Sequence, residues 1–162
     1  MTLSLRPAQP GDEAVITELI GALARYERLE HAVESTAGDM GAALFAPNPR
    51  VFCDLAEVDG AIVGFALWFY TFSTFRGRHG IYLEDLFVRP EARRAGAGAA
   101  LLRGLARRCR EEGLGRLEWS VLDWNAPAID FYEAQGAQLL HDWIICRVEG
   151  PELVALARKA GA

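Results

Sequence analysis

Apolar residues at Ile16, Leu19, Ile20 and Leu23 recur at three- and four-residue spacing, which gathers them on one face of a helix. Pro10-Gly11-Asp12 forms the entry to that helix, and Tyr26 and Glu27 lie at its far end. Thr2 to Arg6, which alternates weakly, reads as a strand before it. Ser35-Thr36 with Asp39 has the form of a capping arrangement, in which a hydroxyl and a carboxylate satisfy backbone N–H groups at a helix start. It predicts a short second helix ending before Pro47 and Pro49. Val51 to Val58 and Ala61 to Phe72 read as strands joined at Asp59-Gly60, residue types that tolerate the positive φ of a tight two-residue turn. A strand from Ile81 to Val88 ends at Arg89-Pro90, since proline cannot continue a hydrogen-bonded ladder. Leu101, Leu102, Leu105, Ala106 and Cys109 form the apolar stripe of a helix of about four turns, which stops at Gly113. Leu117 to Leu122 is the next strand, Ala128 to Gln135 a short helix closed by Gly136, and Trp143 to Val148 a last strand. This order indicates an α/β sandwich with a mixed sheet.

The chain has 162 residues, 51% of them hydrophobic, which suits a single domain spanning residues 1–162. Its longest apolar run, Ala61 to Tyr70, is about half of the ~20 residues needed to cross a bilayer, so it reads as a buried strand and no membrane partner is expected. The N-terminal MTLSLRPAQPGDE has neither a basic start nor an apolar stretch of signal length. Cys53, Cys109 and Cys146 are odd in number, far apart and set among apolar neighbours, which suits reduced, buried thiols. A cytoplasmic location follows as the expectation.

Charge changes the picture further. Net charge is -5, yet the stretch from Arg89 to Arg110 holds seven arginines and one acid, Glu91. A basic segment in an acidic protein suits an anionic ligand held at one place, and the acidic remainder would attract a cationic partner. Arg103, Arg107 and Arg110 lie opposite the apolar stripe and read as a solvated helix face; Arg93 and Arg94 do not. Net acidity and the apolar stripe argue against nucleic acid as the partner.

The segment YLEDLFVRPEARRAGAGAALL sets a strand, a turn and a glycine-interrupted basic loop directly before a helix. A helix start offers unpaired backbone N–H groups and the positive end of the macrodipole, so it can hold a phosphate with the backbone itself. Gly96 and Gly98 remove side chains that would block close approach, and Arg93 and Arg94 add charge. A Walker loop is excluded, because it needs a lysine after its last glycine and the chain's one lysine is Lys159. The dinucleotide fingerprint fails because Leu101 stands at its third glycine position.

Arg93-Arg94-Ala95-Gly96-Ala97-Gly98 resembles the coenzyme A signature of the GNAT superfamily of N-acetyltransferases, and VLDWNAPAIDFYEAQGA resembles its second block. YLEDLFVRPE together with the second block is similar to the diamine acetyltransferase branch, which includes spermidine/spermine and thialysine N-acetyltransferases. The likeness runs from about Leu5 to Ala157. It implies a single-domain fold with a mixed, mostly antiparallel sheet flanked by helices, acetyl-CoA as co-substrate, a small-molecule amine as acceptor, and a homodimer. It implies further that Leu86, Phe87 and Val88 hydrogen-bond the pantetheine arm through their backbone, and that Arg93 to Ala99, with Ala95 and Ala97 among them, cradle the pyrophosphate. Asn125 and Ala128 match the second-block positions that help hold coenzyme A; helix capping explains Asn125 equally well.

Acetyl transfer to an amine needs a neutral nucleophile, a polarised carbonyl and a proton for the departing thiolate. A lysine-like amine of pKa ~10.4 gives up its proton at neutral pH at a cost of about 4 to 5 kcal/mol. Glu84 and Asp85 occupy consecutive strand positions, so they are expected on opposite faces, and Glu84 is the chosen proton acceptor, directly or through a water. Tyr132 matches the family's tyrosine near the thiol and is the chosen general acid. Tyr26 and Glu27, with Glu84 and Asp85, match amine-contacting positions. No G-x-S-x-G elbow, H-E-x-x-H or paired-cysteine metal site occurs, so direct transfer in a ternary complex without metal is expected. Ser73-Thr74-Phe75 replaces the acid-aromatic pattern of spermidine-type members and resembles the thialysine type, which favours a diamine or lysine-like acceptor over a long polyamine. An aminoglycoside, a protein N-terminus, and a non-catalytic acyl-CoA sensor stay open as alternatives.

Overall fold

The computed structural model describes residues 1–159. Their contacts divide into two compact units, Met1–Val121 and the chain from Leu122 onward.

The first unit holds β1 (Leu3–Pro7), α1 (Glu13–Glu27), α2 (Ala37–Leu44), β2 (Phe52–Val58), β3 (Ala61–Ser73), β4 (Arg78–Val88), α3 (Ala97–Glu111) and β5 (Leu117–Glu118). The strands form one sheet in the order β1-β2-β3-β4-β5, antiparallel throughout except for the parallel pair β4–β5. This is the mixed, mostly antiparallel sheet flanked by helices that the motifs imply. Local chemistry explains its corners. The β2–β3 turn runs through Asp59 at φ 50° and Gly60 at φ 82°. Thr36 and Asp39 close a reciprocal capping box at the start of α2, with Asp39 N donating to Thr36 Oγ1 at 3.2 Å and Thr36 N donating to the Asp39 carboxylate at 2.8 Å.

The two faces of the sheet bury different layers. Cys53, Leu55, Phe65, Leu67 and Phe87 pack with Ile16 and Leu19 of α1 and Leu44 of α2 in one cluster. Register places Cys53 opposite Leu67 and Leu55 opposite Phe65, so these side chains share a face. Ala56, Ala66 and Trp68 occupy the alternate positions, and α3 packs on β2, β3 and β4. Arg108 of α3 lies over the Trp68 ring at 4.9 Å, and the Trp68 indole N–H donates to Asp54 at 2.9 Å.

The second unit holds α4 (Ala126–Ala134) and α5 (Gly150–Lys159). The structure differs from the expectations at several places. The strand expected over Leu117–Leu122 is only Leu117–Glu118. Trp143–Val148 forms no strand: it carries no ladder, and Trp143 and Ile144 are 80% and 85% exposed. α5 had no place in the sequence pattern, and its Leu153, Val154 and Leu156 are about half exposed. Cys53 is buried, but Cys109 is half-buried and Cys146 exposed, so the expectation of buried thiols holds for one of the three. Among the described residues no helix is long and apolar enough to cross a membrane.

Candidate active site

The parallel pair β4–β5 lasts for two positions, Ile81 opposite Leu117 and Tyr82 opposite Glu118. Beyond Tyr82, β4 runs on to Val88 with β3 on one side and, among the described residues, no ladder on the other. Arg89 N–H donates to the Val63 carbonyl on β3 at 2.8 Å. Because peptide groups alternate along a strand, those of Leu86 and Val88 point to the open edge. An extended chain of amides can pair there as an added strand would.

A β-bulge sits where the sheet opens. Asp85 stands opposite Leu67 and Leu83 opposite the next residue, Trp68, which leaves Glu84 with no partner on β3. The inserted residue shifts the alternation of the strand. Leu83 shares the face of Trp68, under α3, whereas Asp85 and Phe87 share the face of Leu67 and Phe65, toward α1. The expected split of Glu84 and Asp85 onto opposite faces assumed an uninterrupted two-residue rhythm, and the bulge breaks that rhythm between Leu83 and Asp85.

Asp85 is consequently half-buried beside other acids. Its carboxyl is pushed up to about 6, first by burial and then by the charges of Glu84 and Glu27. Burial also raises the carboxyl of Glu27, the last residue of α1. The charges of Glu27, at the end of α1, and of Glu84, at the bulge of β4, therefore reach Asp85 at the open end of the sheet. Burial disfavours ionising Glu27 and Asp85, the neighbouring acidic charges add to that cost at Asp85, and a cation placed beside Asp85 relieves it. Tyr26 precedes Glu27 and is 37% exposed. Among the described residues, no group of His, Cys, Asp or Glu is arranged to hold a metal ion.

Val88 leads through a 3-10 turn, Pro90–Ala95, to Gly96 and α3. Gly96 takes φ 77°, a left-handed conformation that side chains disfavour, and a Cβ there would meet only open space. No side chain caps α3 and no acid stands in its first turn. The N–H groups at that start belong to Ala97, Gly98 and Ala99, with Ala97 buried and Gly98 and Ala99 half-buried. Arg94 is exposed. The uncapped start, its small residues and the adjacent arginine fit a pyrophosphate. Arg93 is placed differently from a simple phosphate contact: its Nε donates to the Val88 carbonyl at 3.2 Å, and its guanidinium lies 4.9 Å from the Tyr26 ring centroid. Sequence reasoning missed this contact because no local pattern joins residues 67 positions apart.

In the second unit, Asn125 caps α4, its side chain accepting from Ala128 N at 3.3 Å, and it is buried. Tyr132 is buried on the same helix, with the Phe131 ring 5.3 Å away. Asn125, Ala128 and Tyr132 are thus brought together on α4, while Tyr26, Glu27, Glu84 to Val88 and Arg93 to Ala99 are brought together in the first unit.

Comparisons with known proteins give the family and the fold. The model of the acetyltransferase (GNAT) family matches residues 15–137. A thialysine N-epsilon-acetyltransferase from Bos taurus is 37% identical over 96% of this chain and 97% of its own length. An L-ornithine N5-acetyltransferase from Arabidopsis thaliana is 31% identical over 94% of this chain and 86% of its own. Among solved structures, an integron cassette protein from the mobile metagenome of V. cholerae superposes with a TM-score of 0.81 at 26% identity, covering 98% of this chain and 99% of that one. An aminoglycoside acetyltransferase from an uncultured soil metagenomic sample shares the fold, with a TM-score of 0.71 at 17% identity over 90% of this chain and 97% of that one. The open edge of β4, the uncapped start of α3 and these matches have one explanation: the chain belongs to the GNAT family and is an amine N-acetyltransferase.

Proposed function

We propose that this enzyme uses acetyl-CoA to acetylate the primary amine of a small diamine or lysine-like molecule, by direct transfer in a ternary complex within a single domain. The observation that carries the reading is the half-buried Asp85 beside the β4 bulge, on which the charges of Glu84 and of Glu27 at the end of α1 act. A diammonium or lysine-like cation satisfies such a group, and Ser73 at the end of β3 with Thr74 just after it adds no further acid for a longer polyamine. Two relatives bear names of the same substrate class, thialysine and ornithine.

Acetyl-CoA supplies an activated thioester. The backbone of Leu86, Phe87 and Val88 holds its arm, and the start of α3, from Arg93 to Ala99 with Arg94 adjacent, holds its pyrophosphate, with Asn125 and Ala128 assisting from α4. Glu27 and Asp85 bind the ammonium groups of the acceptor, and the ring of Tyr26 lines its path. Glu84, exposed at the bulge, accepts the proton that the reacting amine must lose, directly or through a water. As the N–C bond forms and the C–S bond breaks, Tyr132 gives its hydroxyl proton to the sulfur. An ordinary phenol of pKa ~10 is a weaker acid than an ordinary thiol of ~8.5, so donation accompanies bond cleavage rather than preceding it.

The test is release of free thiol from acetyl-CoA across a panel of diamines, lysine analogues, polyamines and aminoglycosides. Turnover is expected to be highest with ornithine- or lysine-like amines; a preference for aminoglycosides or spermine would overturn the acceptor assignment. Thermal stabilisation by acetyl-CoA without turnover of any amine would replace the enzyme reading with a sensor. The same proposal includes a homodimer in the cytoplasm. Support for the dimer comes from Trp143, Ile144 and Ile145, each at least 72% exposed, an apolar stretch that a second copy of the chain would cover. A monomer mass in solution at micromolar concentration would discard it.

A further inference from the structure

We propose that Arg93 is a positioning residue that links the cofactor end of the site to its amine end through Tyr26. This rests on the acetyl-CoA reading above. Arg93 begins the glycine signature, yet its side chain turns back along the open edge of β4. Its Nε donates to the Val88 carbonyl at 3.2 Å, one of the acceptors assigned to the pantetheine arm. Its guanidinium sits 4.9 Å from the centroid of the Tyr26 ring and 6.0 Å from that of Phe87. Phe87 belongs to the buried cluster under α1, so one neighbour of the guanidinium is fixed by the core, while the other, Tyr26, stands on the end of α1 beside Glu27.

The geometry sets up a competition. An arm N–H that takes the Val88 carbonyl approaches the oxygen from the same open edge as the Arg93 Nε–H, so the two donors crowd one acceptor while the pyrophosphate draws the guanidinium away from it. The released guanidinium gains the pyrophosphate as an anionic partner but leaves the Tyr26 ring. Cofactor binding thereby removes a positive charge from the mouth of a site built for an ammonium and frees an aromatic face for it. Coupling of this kind is reciprocal: whatever Arg93 gains from Tyr26 is subtracted from the affinity for coenzyme A.

That reciprocity gives a test independent of the acceptor and of turnover. Coenzyme A binding is measured by calorimetry for the wild-type protein, Tyr26→Leu, Arg93→Met and the double variant. Tyr26 is 37% exposed, and melting temperatures recorded for each variant separate a change in folding from a change in binding. Loss of one exposed cation–π contact is expected to tighten coenzyme A binding about two- to fivefold in Tyr26→Leu, and to change it by less than about 1.5-fold when Arg93 is already methionine. An unchanged affinity in Tyr26→Leu, or an equal change in both backgrounds, would overturn the link while leaving the acetyl-CoA reading intact. Failure of the wild-type protein to bind coenzyme A at all would overturn both.

Discussion

Asp85→Asn tests the carboxyl cluster by a route that does not involve catalysis. Replacing the carboxyl by a neutral amide of the same shape removes the group whose ionisation the fold resists. That resistance raises the Asp85 carboxyl from an ordinary 3.8 to about 6, burial contributing most and the charges of Glu84 and Glu27 the rest. At about 1.4 kcal/mol per pH unit, a rise of this size is worth about 3 kcal/mol as an upper figure. The sign follows from proton uptake. Between pH 4 and pH 6 the folded chain holds this proton and the unfolded chain has lost it, so stability falls as pH rises through that window. Below pH 4 the carboxyl is protonated in both states and the penalty vanishes. Asp85→Asn should therefore match the wild type near pH 4 and exceed it by up to about 3 kcal/mol at pH 8. For a chain of this size that is on the order of 6 to 10 °C in melting temperature. Urea denaturation at half-unit pH steps from 4 to 8, on both proteins, reads the difference directly. A stability difference that does not change with pH would refute the claim that Asp85 ionises at a cost.

The remaining predictions concern the site and its support. Tyr132→Phe should lower turnover by about a hundredfold or more while coenzyme A affinity stays within twofold, the signature of a lost general acid; a rate within threefold of wild type removes Tyr132 from that role. Glu84→Gln should depress the acidic limb of the rate profile or raise the amine KM several-fold, and if neither moves, proton removal belongs to another group. At Gly64 an added Cβ would stand 2.6 Å from the Phe87 carbonyl oxygen, so Gly64→Ala should destabilise the chain by about 1 to 3 kcal/mol and weaken coenzyme A binding by disturbing β4. Equal melting temperatures for Gly64→Ala and wild type would count against this packing.

Where a structural rule is local, the sequence carried it. The spacing of Ile16 and Leu19 announces α1, Thr36 and Asp39 announce the start of α2, and Asp59-Gly60 sets the β2–β3 hairpin, because each is decided within one or two turns of chain. The glycine signature was legible for the same reason. Glu84 and Asp85 were legible as acids but not in their arrangement, since a two-residue rhythm cannot register an inserted residue until the partner strand fixes the pairing. The contact of Arg93 with Tyr26 is set by tertiary packing and leaves no mark in either segment. Trp143 to Val148 has the composition of a strand, but composition supplies only half of a ladder, and in this chain the segment pairs with nothing within it among the described residues.

The extra residue in β4 acts as a change of phase. Leu83 and Phe87 are four apart and would face the same way in an even strand, yet one is buried beneath α3 and the other beneath α1. One added peptide lets a single strand line both cores and, at the step between them, deliver acids to the opening of the sheet. What the site depends on there is a count of residues as much as their identity. Deleting Glu84 would take away more than a carboxylate: it would turn every residue on one side of it to the opposite face, setting the apolar layers out of register with the helices that cover them.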